Sequence, residues 1–161
     1  MVLRAGGTAV RPDMVVGVGD QWFVPAFIRF VEAVGGLVDH GSALMSMIRV
    51  TDLAAIVTRI SLAEQPIVGA FNASYSEPSS VSDLAALLGP ITGWPSPLPS
   101  LRRSEALPMA LGSRFSARQF ELLTTDHWYA NAALNAAIGA DWASGLSLTG
   151  QDLDWYRSQL R

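Results

Sequence analysis

The sequence has 161 residues, of which half are hydrophobic and only 16% are charged. Charged residues make up about 25% of an average soluble protein, so an unusual share of this chain must be buried in a core or lie against a partner or an apolar ligand. The formal net charge is −3, and all 11 basic residues are arginines, which excludes a lysine of this chain as general acid or Schiff base. Cysteine is absent, which excludes disulfides, a thiol nucleophile and thiolate metal sites.

Several broad classes of protein are not expected. The longest apolar stretches, such as 22–30, are well short of the ~20 residues that a membrane-spanning helix needs, and the N-terminus has no signal-peptide pattern. The one local basic pair, Arg102 and Arg103, does not make a nucleic-acid footprint. The two histidines share no helical spacing, so no metal site is expected. We expect a cytoplasmic protein folded as a single domain over residues 1–161.

Apolar, β-branched runs alternate with amphipathic segments in the first half of the chain. Pro25 suits the first turn of a helix, where its missing N–H costs nothing, and Gly35 suits the end of that helix. The predicted elements are a strand over 8–16, a helix over 25–34, a strand over 45–50, a helix over 53–62, a strand over 67–73 and a short helix ending at Leu88. Such alternation is typical of an α/β domain.

Small polar residues mark where these helices should begin. Thr51 or Asp52 is expected to cap the second helix, and Ser80 or Ser82, with Asp83, the third. A proline-rich stretch over 89–99 predicts an ordered surface loop. Further helices are predicted over 101–111, 116–123, 128–138 and 151–160.

Five segments in the same order resemble the second half of the extended short-chain dehydrogenases/reductases, the NAD-dependent epimerase/dehydratase superfamily. Each motif is weak alone, but together they cover nearly the whole chain. The segments are VRPDMVVGVGD over 10–20, MIRVTDLA over 47–54, GAFNASYSEPSSVSDLAAL over 69–87, the helix-to-Ile-Gly stretch over 123–139 and DWYR over 154–157. The segments over 23–30 and 114–129 are more similar to the 3β-hydroxysteroid dehydrogenase-like branch.

The resemblance implies a truncated remnant of a Rossmann-type sheet, with few strands, joined to a small and mostly helical substrate-binding domain. The half that would carry the Gly-rich pyrophosphate turn and the Tyr-x-x-x-Lys pair has no counterpart in this sequence. The resemblance therefore implies no cofactor in this chain alone, and NAD(P) once a Rossmann half completes it. In that case Pro12, Asp13 and Met14 would lie beside the nicotinamide.

Two departures from the family bear on the ligand. Met45 stands where nucleotide-sugar enzymes have an arginine that holds diphosphate, and Arg49 stands where histidine is usual. Losing the arginine removes a bidentate anion clamp, which argues against a nucleotide sugar. Met45 and Met47, with Trp22 and Phe23, are instead expected to line an apolar substrate site.

Residues near the C-terminus complete the candidate site. Trp128 falls where the family's C-terminal segment approaches substrate. It is also one of four tryptophans interpreted as core or docking anchors, the others being Trp94, Trp142 and Trp155. No residue is assigned a catalytic role, but His40, Arg49 and His127 are candidates, because histidine titrates near neutrality and both histidines follow an aspartate.

Three functions remain open at this point. In the first, the chain is the substrate-binding portion of an NAD(P)-dependent oxidoreductase or epimerase for an apolar, steroid- or polyketide-like compound, completed by a Rossmann-half partner chain. Alternatively, it is a stand-alone domain that catalyses a cofactor-independent cyclisation, isomerisation or dehydration with Asp13, His40, Arg49 and His127. The third alternative is a non-catalytic binding module that forms a homodimer through its exposed sheet edge.

Overall fold

The computed structural model describes residues 3–140 and 145–160, which contain seven α-helices and eight short strands. The predicted α/β class is therefore confirmed. The strands are β1 Thr8–Pro12, β2 Met14–Val16, β3 Leu37–Val38, β4 Leu44–Met45, β5 Met47–Arg49, β6 Gly69–Ala73, β7 Ser79–Ser80 and β8 Ser100–Leu101. The helices are α1 Phe23–Val34, α2 Val50–Ser61, α3 Val81–Thr92, α4 Arg103–Gly112, α5 Ala117–Thr124, α6 Ala132–Ile138 and α7 Gly150–Gln159.

The strands pair in four separate two-stranded sheets, three parallel and one antiparallel, consistent with a partial Rossmann-like fold. β1 pairs with β6 and β2 with β5, both in parallel, with Val10 opposite Phe71 and Val15 opposite Ile48. β3 pairs with β8 in parallel, and β4 pairs with β7 antiparallel. The strand predicted over 8–16 is thus split at Asp13, because its two halves have different partners. That split puts Asp13 at the junction between the two pairs.

β1 has a strand on one side only within the part of the chain that the structure describes. The Gly69 N–H donates to the Gly7 carbonyl oxygen at 3.4 Å, so the backbone groups of Gly7, Ala9 and Arg11 face β6. The alternate residues of β1 direct theirs to the open edge, and these include Pro12, which has no N–H to offer. Proline is tolerated at an unpaired edge for that reason.

Two hydrophobic clusters lie on either side of β2 and β5. The larger is built from α1, α3, α4, α5 and α7, and its central aromatic rings are Phe27, Phe30 and Phe120. The smaller packs β5, β6, α2 and α6 together around Ile48 and Ile56. The helical cluster therefore makes up most of the core, as the resemblance to a mostly helical substrate domain implies.

Two helix starts differ from the sequence prediction. α2 begins at Val50 with Arg49 as its N-cap, so the predicted cap at Thr51 or Asp52 is wrong. α3 begins after Ser80, whose hydroxyl accepts from the Asp83 N–H while the Asp83 carboxylate accepts from the Ser80 N–H. The capping box at Ser80 is therefore confirmed, and the alternative cap at Ser82 is wrong.

Two boundaries farther along also differ. α3 continues through Pro90 to Thr92, so the predicted loop over 89–99 begins only at Gly93. The predicted helix over 128–138 begins only at Ala132, and Trp128 lies in the extended segment that precedes it. None of the described helices is both long and apolar enough to cross a bilayer.

Candidate functional site

Two adjoining cavities lie where β2 runs into α1. The first, of about 400 Å³, is lined by the residues from Asp13 to Asp20 together with Trp22, Phe23 and Val50. The second, of about 230 Å³, has an almost wholly apolar wall. Its lining residues are Met14, Trp22, Phe23, Ala26, Phe115, Gln119, Leu122 and Leu123. Met14, Trp22 and Phe23 line both cavities, so the two lie side by side and are treated together as the candidate site.

Asp20 fixes the start of α1 at this site. Its two carboxylate oxygens accept hydrogen bonds from the backbone N–H groups of Trp22, Phe23 and Val24, at 2.8 to 2.9 Å. These are N–H groups that a helix leaves unsatisfied at its first turn, and a carboxylate there also interacts favourably with the helix dipole. Asp20 therefore holds Trp22 and Phe23 in place at the wall of the cavities.

Helix α7 clamps the turn that precedes α1. The Gly17 N–H donates to the Tyr156 hydroxyl at 2.6 Å, and that hydroxyl donates to Asp20 Oδ2 at 3.1 Å. The Trp155 indole N–H donates to the Asp20 carbonyl oxygen at 3.1 Å. Tyr156 is completely buried, and this burial, with the nearby Asp20 carboxylate, raises the pKa of its hydroxyl. The Tyr156 hydroxyl thus has a structural role: it holds Gly17 and Asp20, two residues that line the cavity, in place.

Arg49, a candidate catalytic residue, is bound to α7. Its guanidinium lies 3.0 Å from the Asp152 carboxylate, which is 2% exposed. Burial alone would raise the pKa of Asp152, but hydrogen bonds from the Thr149 N–H and hydroxyl, together with the Arg49 charge, outweigh it and lower that pKa. The pair ties the end of β5 to α7, which is a structural role.

His127, the second candidate, faces Asp13 rather than its sequence neighbour Asp126. Its Nδ1 lies 2.8 Å from Asp13 Oδ2, and its Nε2 donates to the Leu122 carbonyl oxygen at 2.7 Å. Asp126 instead accepts from the Leu44 N–H at 2.8 Å. Asp13 and Leu122 line the cavities but His127 does not, so the imidazole stands behind the wall.

His40, the third candidate, lies elsewhere. It is exposed and lines a separate cavity of about 400 Å³ with Trp94 and residues of α3. The structure therefore brings Asp13 and His127 together, pairs Arg49 with α7, and leaves His40 apart from all of them. A single catalytic cavity with all four residues on its wall is not observed among the described cavities.

The predicted substrate-binding residues divide between cavity, core and surface. Trp22 is 82% exposed and lines both cavities with Phe23. Met45 and Met47 are 0% and 2% exposed and pack in the helical cluster, so the structure places them in the core rather than on a cavity wall. Trp128 is 49% exposed and lines neither cavity.

The other tryptophans predicted as anchors do not all lie in one part of the structure. Trp94 and Trp155 pack partly buried against the helical core, and the Trp94 ring meets Phe27 edge-on at 6.2 Å. Trp142 lies outside the described residues.

Several site residues were not expected from the sequence. Phe115, Gln119 and Leu122 come from α5 and the turn before it, and nothing in their spacing marks them as cavity residues. Tyr75 donates its hydroxyl proton to the Asp52 carboxylate, and burial, together with that carboxylate, raises the pKa of the hydroxyl. Asp52 thus accepts from a side chain instead of capping a helix.

The glycine turn after β2, within the described residues, is already engaged in other contacts. Pro12 ends β1 at its open edge, and Asp13 and Met14 line the adjoining 400 Å³ cavity. The Gly17 N–H, however, is already bound to Tyr156, and a carboxylate oxygen of Asp152 would lie 2.9 Å from a Cβ at Gly17. That turn therefore does not fit a pyrophosphate, which would need free N–H groups and no adjacent carboxylate. Among the described residues no group of His, Asp or Glu is placed to hold a metal ion.

Comparison with solved structures shows the same fold in nucleotide-dependent epimerases and dehydratases. A human epimerase-family protein solved with NADPH superposes with a TM-score of 0.60 at 18% identity, over 95% of this chain and 47% of its own. The UDP-glucuronic acid 4-epimerase from Bacillus cereus, solved with NAD, gives 0.61 at 16% identity, over 96% and 45%. An NAD-dependent NDP-hexosamine 5,6-dehydratase of tunicamycin biosynthesis gives 0.59 at 21% identity, over 95% and 46%.

These likenesses establish the fold, since all the identities are low. The chain spans about half the length of the solved structures it matches. No protein-family model matches the sequence. No curated protein matches it either. Several of the structural neighbours were solved with NADPH or NAD.

Proposed function

We propose that this chain is the substrate-binding portion of an NAD(P)-dependent oxidoreductase or epimerase that acts on an apolar hydroxy or keto compound, steroid-like or polyketide-like. The observation that carries the proposal is the apolar double cavity between β2, α1 and α5, lined by Met14, Trp22 and Phe23. It adjoins the end of β1, where the strand's open edge and Asp13 meet.

The chemistry of the walls supports an apolar substrate. Met14, Phe23 and Leu123 offer no charge, and the arginine that would clamp a diphosphate is replaced by the buried Met45. Burial of apolar surface contributes roughly 25 cal/mol per Å² to the binding free energy. A four-ring ketone has more apolar surface to bury here than a charged sugar nucleotide, and should therefore bind more tightly. A flexible thioether and two aromatic rings also adapt to a rigid ring system.

We propose further that the nucleotide-binding half lies outside this sequence, on a polypeptide that pairs with the open edge of β1. Two features support this. The sequence has no lysine for a Tyr-x-x-x-Lys pair. In addition, the Gly17 amide is already bound to Tyr156, so this chain would not bind the pyrophosphate alone.

The substrate class is tested by titrating the chain with progesterone and with UDP-glucose, following tryptophan fluorescence. Progesterone should bind and UDP-glucose should not. Trp22→Ala should weaken progesterone binding at least threefold, because the exposed indole is part of both cavity walls. Leu62→Ala removes another exposed side chain, one that lines neither of these cavities, and serves as the control. Equal binding of UDP-glucose would contradict the proposal.

The partner is tested by mixing the chain with the polypeptide of its own genome that carries a GxxGxxG turn and a Tyr-x-x-x-Lys pair. A 1:1 complex should form, seen by sedimentation velocity, and NADH should bind only to the complex. Val10→Pro removes an N–H that faces the open edge and should weaken the complex, while Leu62→Ala should not. A symmetric dimer of this chain through β1, which Val10→Pro dissociates, would favour the homodimer instead.

A further inference from the structure

A third cavity continues the apolar site toward the outer face of α1. It has a volume of about 620 Å³ and shares Ala26, Phe115 and Gln119 with the 230 Å³ cavity. The three cavities therefore adjoin one another, and together we call them the trough: it begins at the turn after β2, has an almost wholly apolar middle, and ends in a region of different character. Two arginines and a glutamate line that end, namely Arg29, Glu32 and Arg114.

The two arginines at this end have no carboxylate partner within the part of the chain that the structure describes. Arg29 and Arg114 occur in none of its ion pairs, and both are exposed. By contrast, Arg102 and Arg103 on the neighbouring α4 are paired with Glu105 and Glu121. Arg102 and Arg103 are thus neutralised within the fold, whereas Arg29 and Arg114 are available to a ligand.

The backbone holds Arg114 in an uncommon conformation. Its φ of +69° lies in the left-handed region, which is strained for a residue with a Cβ. The Arg114 N–H donates to the Leu111 carbonyl oxygen and the Phe115 N–H to that of Ala110, and the Phe115 ring packs edge-on against Phe30 at 5.5 Å. This packing keeps Phe115 on the apolar wall and Arg114 at its outer end.

We infer that the substrate is amphipathic: its apolar body occupies the middle of the trough, and an oxyanion, either a carboxylate or a phosphate ester, is bound by Arg29 and Arg114. This inference rests on the proposed function and specifies its substrate class further. Guanidinium groups bind both oxyanions through paired N–H donors. Glu32 opposes the anion, so the net charge of the three groups at this end is +1.

The experiment uses the fluorescent dye N-phenyl-1-naphthylamine, which is uncharged and apolar, as the reporter of the trough. Octanoate, octyl phosphate and 1-octanol then compete with it, and these differ only in the head group. Both anions should displace the dye at concentrations about tenfold lower than the alcohol does. The advantage should shrink between 50 and 500 mM NaCl, because salt screens exposed charges. Comparison of the two anions shows which oxyanion the arginines prefer.

Variants separate the charges from the cavity. Arg29→Gln and Arg114→Gln should each weaken the binding of octanoate about threefold, as expected for a solvent-exposed ion pair. Neither substitution should change the affinity for the dye. Glu32→Gln should strengthen octanoate, and Arg4→Gln, at an exposed site of another segment, should change nothing. Circular dichroism checks that each variant is folded.

The outcomes distinguish the two proposals. Suppose that the dye binds, that Trp22→Ala weakens its binding, and that octanol displaces it at the same concentrations as the two anions do. The proposed arginine site is then wrong, and the proposed apolar site stands. If the arginine variants leave octanoate binding unchanged, the arginine site is equally wrong. If the dye does not bind the trough at all, the proposed apolar function falls, and the inference falls with it.

Discussion

The His127 Nδ1 lies 2.8 Å from Asp13 Oδ2, which joins two residues 114 positions apart in the sequence. Asp13 stands at the split between β1 and β2, and His127 forms a bridge with Met45 of β4. The contact therefore fixes the sheet junction to the segment that leads into α6. Since Asp13 also lines the 400 Å³ cavity, the same contact orients a carboxylate at the edge of the candidate site.

A double-mutant cycle measures this contact. Asp13→Ala and His127→Ala should each lower the free energy of unfolding by about 1–3 kcal/mol, because each leaves a partly buried polar group without its partner. Their interaction energy should be about 0.5–3 kcal/mol in urea titrations. His40→Asn is the control, since the exposed His40 has φ +61° and asparagine tolerates that region. Additive effects of the two alanine substitutions would show that the contact is not formed in solution.

Two residues that the sequence assigns to one apolar site should respond in opposite ways. Met45→Ala should lower the free energy of unfolding by about 2–5 kcal/mol, because the side chain is fully buried. Trp22→Ala should change it by less than about 0.5 kcal/mol, because the indole is 82% exposed, and should weaken progesterone instead. Urea titration and fluorescence binding on both variants give the comparison. A stable Met45→Ala protein with impaired binding would put Met45 back on the cavity wall.

The sequence predicted the type and order of most elements, because their signals are local. The capping box at Ser80 and Asp83 and the terminating Gly35 are such signals, and both are present. The split of the first strand at Asp13 could not be predicted, because it depends on which strands pair with each half. The last turn of α3, beyond Pro90, likewise involves tertiary packing, since Ile91 packs against the helical cluster.

For the candidate site the same division holds. Trp22 and Phe23 were predicted to line an apolar site together with Met45 and Met47, and the structure places Trp22 and Phe23 on the cavity walls. Met45 and Met47 have the same apolar character, and no pattern distinguishes a core methionine from one on a cavity wall. Tyr156 reaches Gly17 across 139 positions, a distance over which sequence spacing carries no information about contact.

Acid should destabilise the protein partly through Asp152. Its folded-state pKa is lowered, so the unfolded chain binds the proton more tightly; the stabilisation is present above the ordinary pKa of about 4 and is lost as the pH falls through the folded-state value. Arg49→Gln removes part of what lowers that pKa and leaves burial to oppose ionisation. Unfolding by acid should therefore begin at a higher pH than in the parent protein.

Urea midpoints measured between pH 2 and pH 7 test the role of this pair. Arg157→Gln is the matched control, because Arg157 pairs with the exposed Asp154 on the same helix and such pairs contribute little. If both arginine variants lose stability over the same pH range as the parent protein, the ion pair between Arg49 and Asp152 does not determine how stability falls at acidic pH.

The two glycines of the turn after β2 allow the cost of backbone strain to be distinguished from the cost of a steric clash. Gly17 and Gly19 both have positive φ, at +114° and +98°, but a Cβ at Gly17 would lie 2.9 Å from Asp152 Oδ1, while one at Gly19 meets nothing within 4 Å. Gly19→Ala should therefore cost about 1–3 kcal/mol of backbone strain. Gly17→Ala should cost more, because Asp152 is held by Arg49 and cannot move aside freely. Urea titration gives the free energy of unfolding of both variants. If the Asp152 carboxylate causes the additional loss in Gly17→Ala, that additional loss should be absent when Gly17→Ala is made in an Asp152→Ala background.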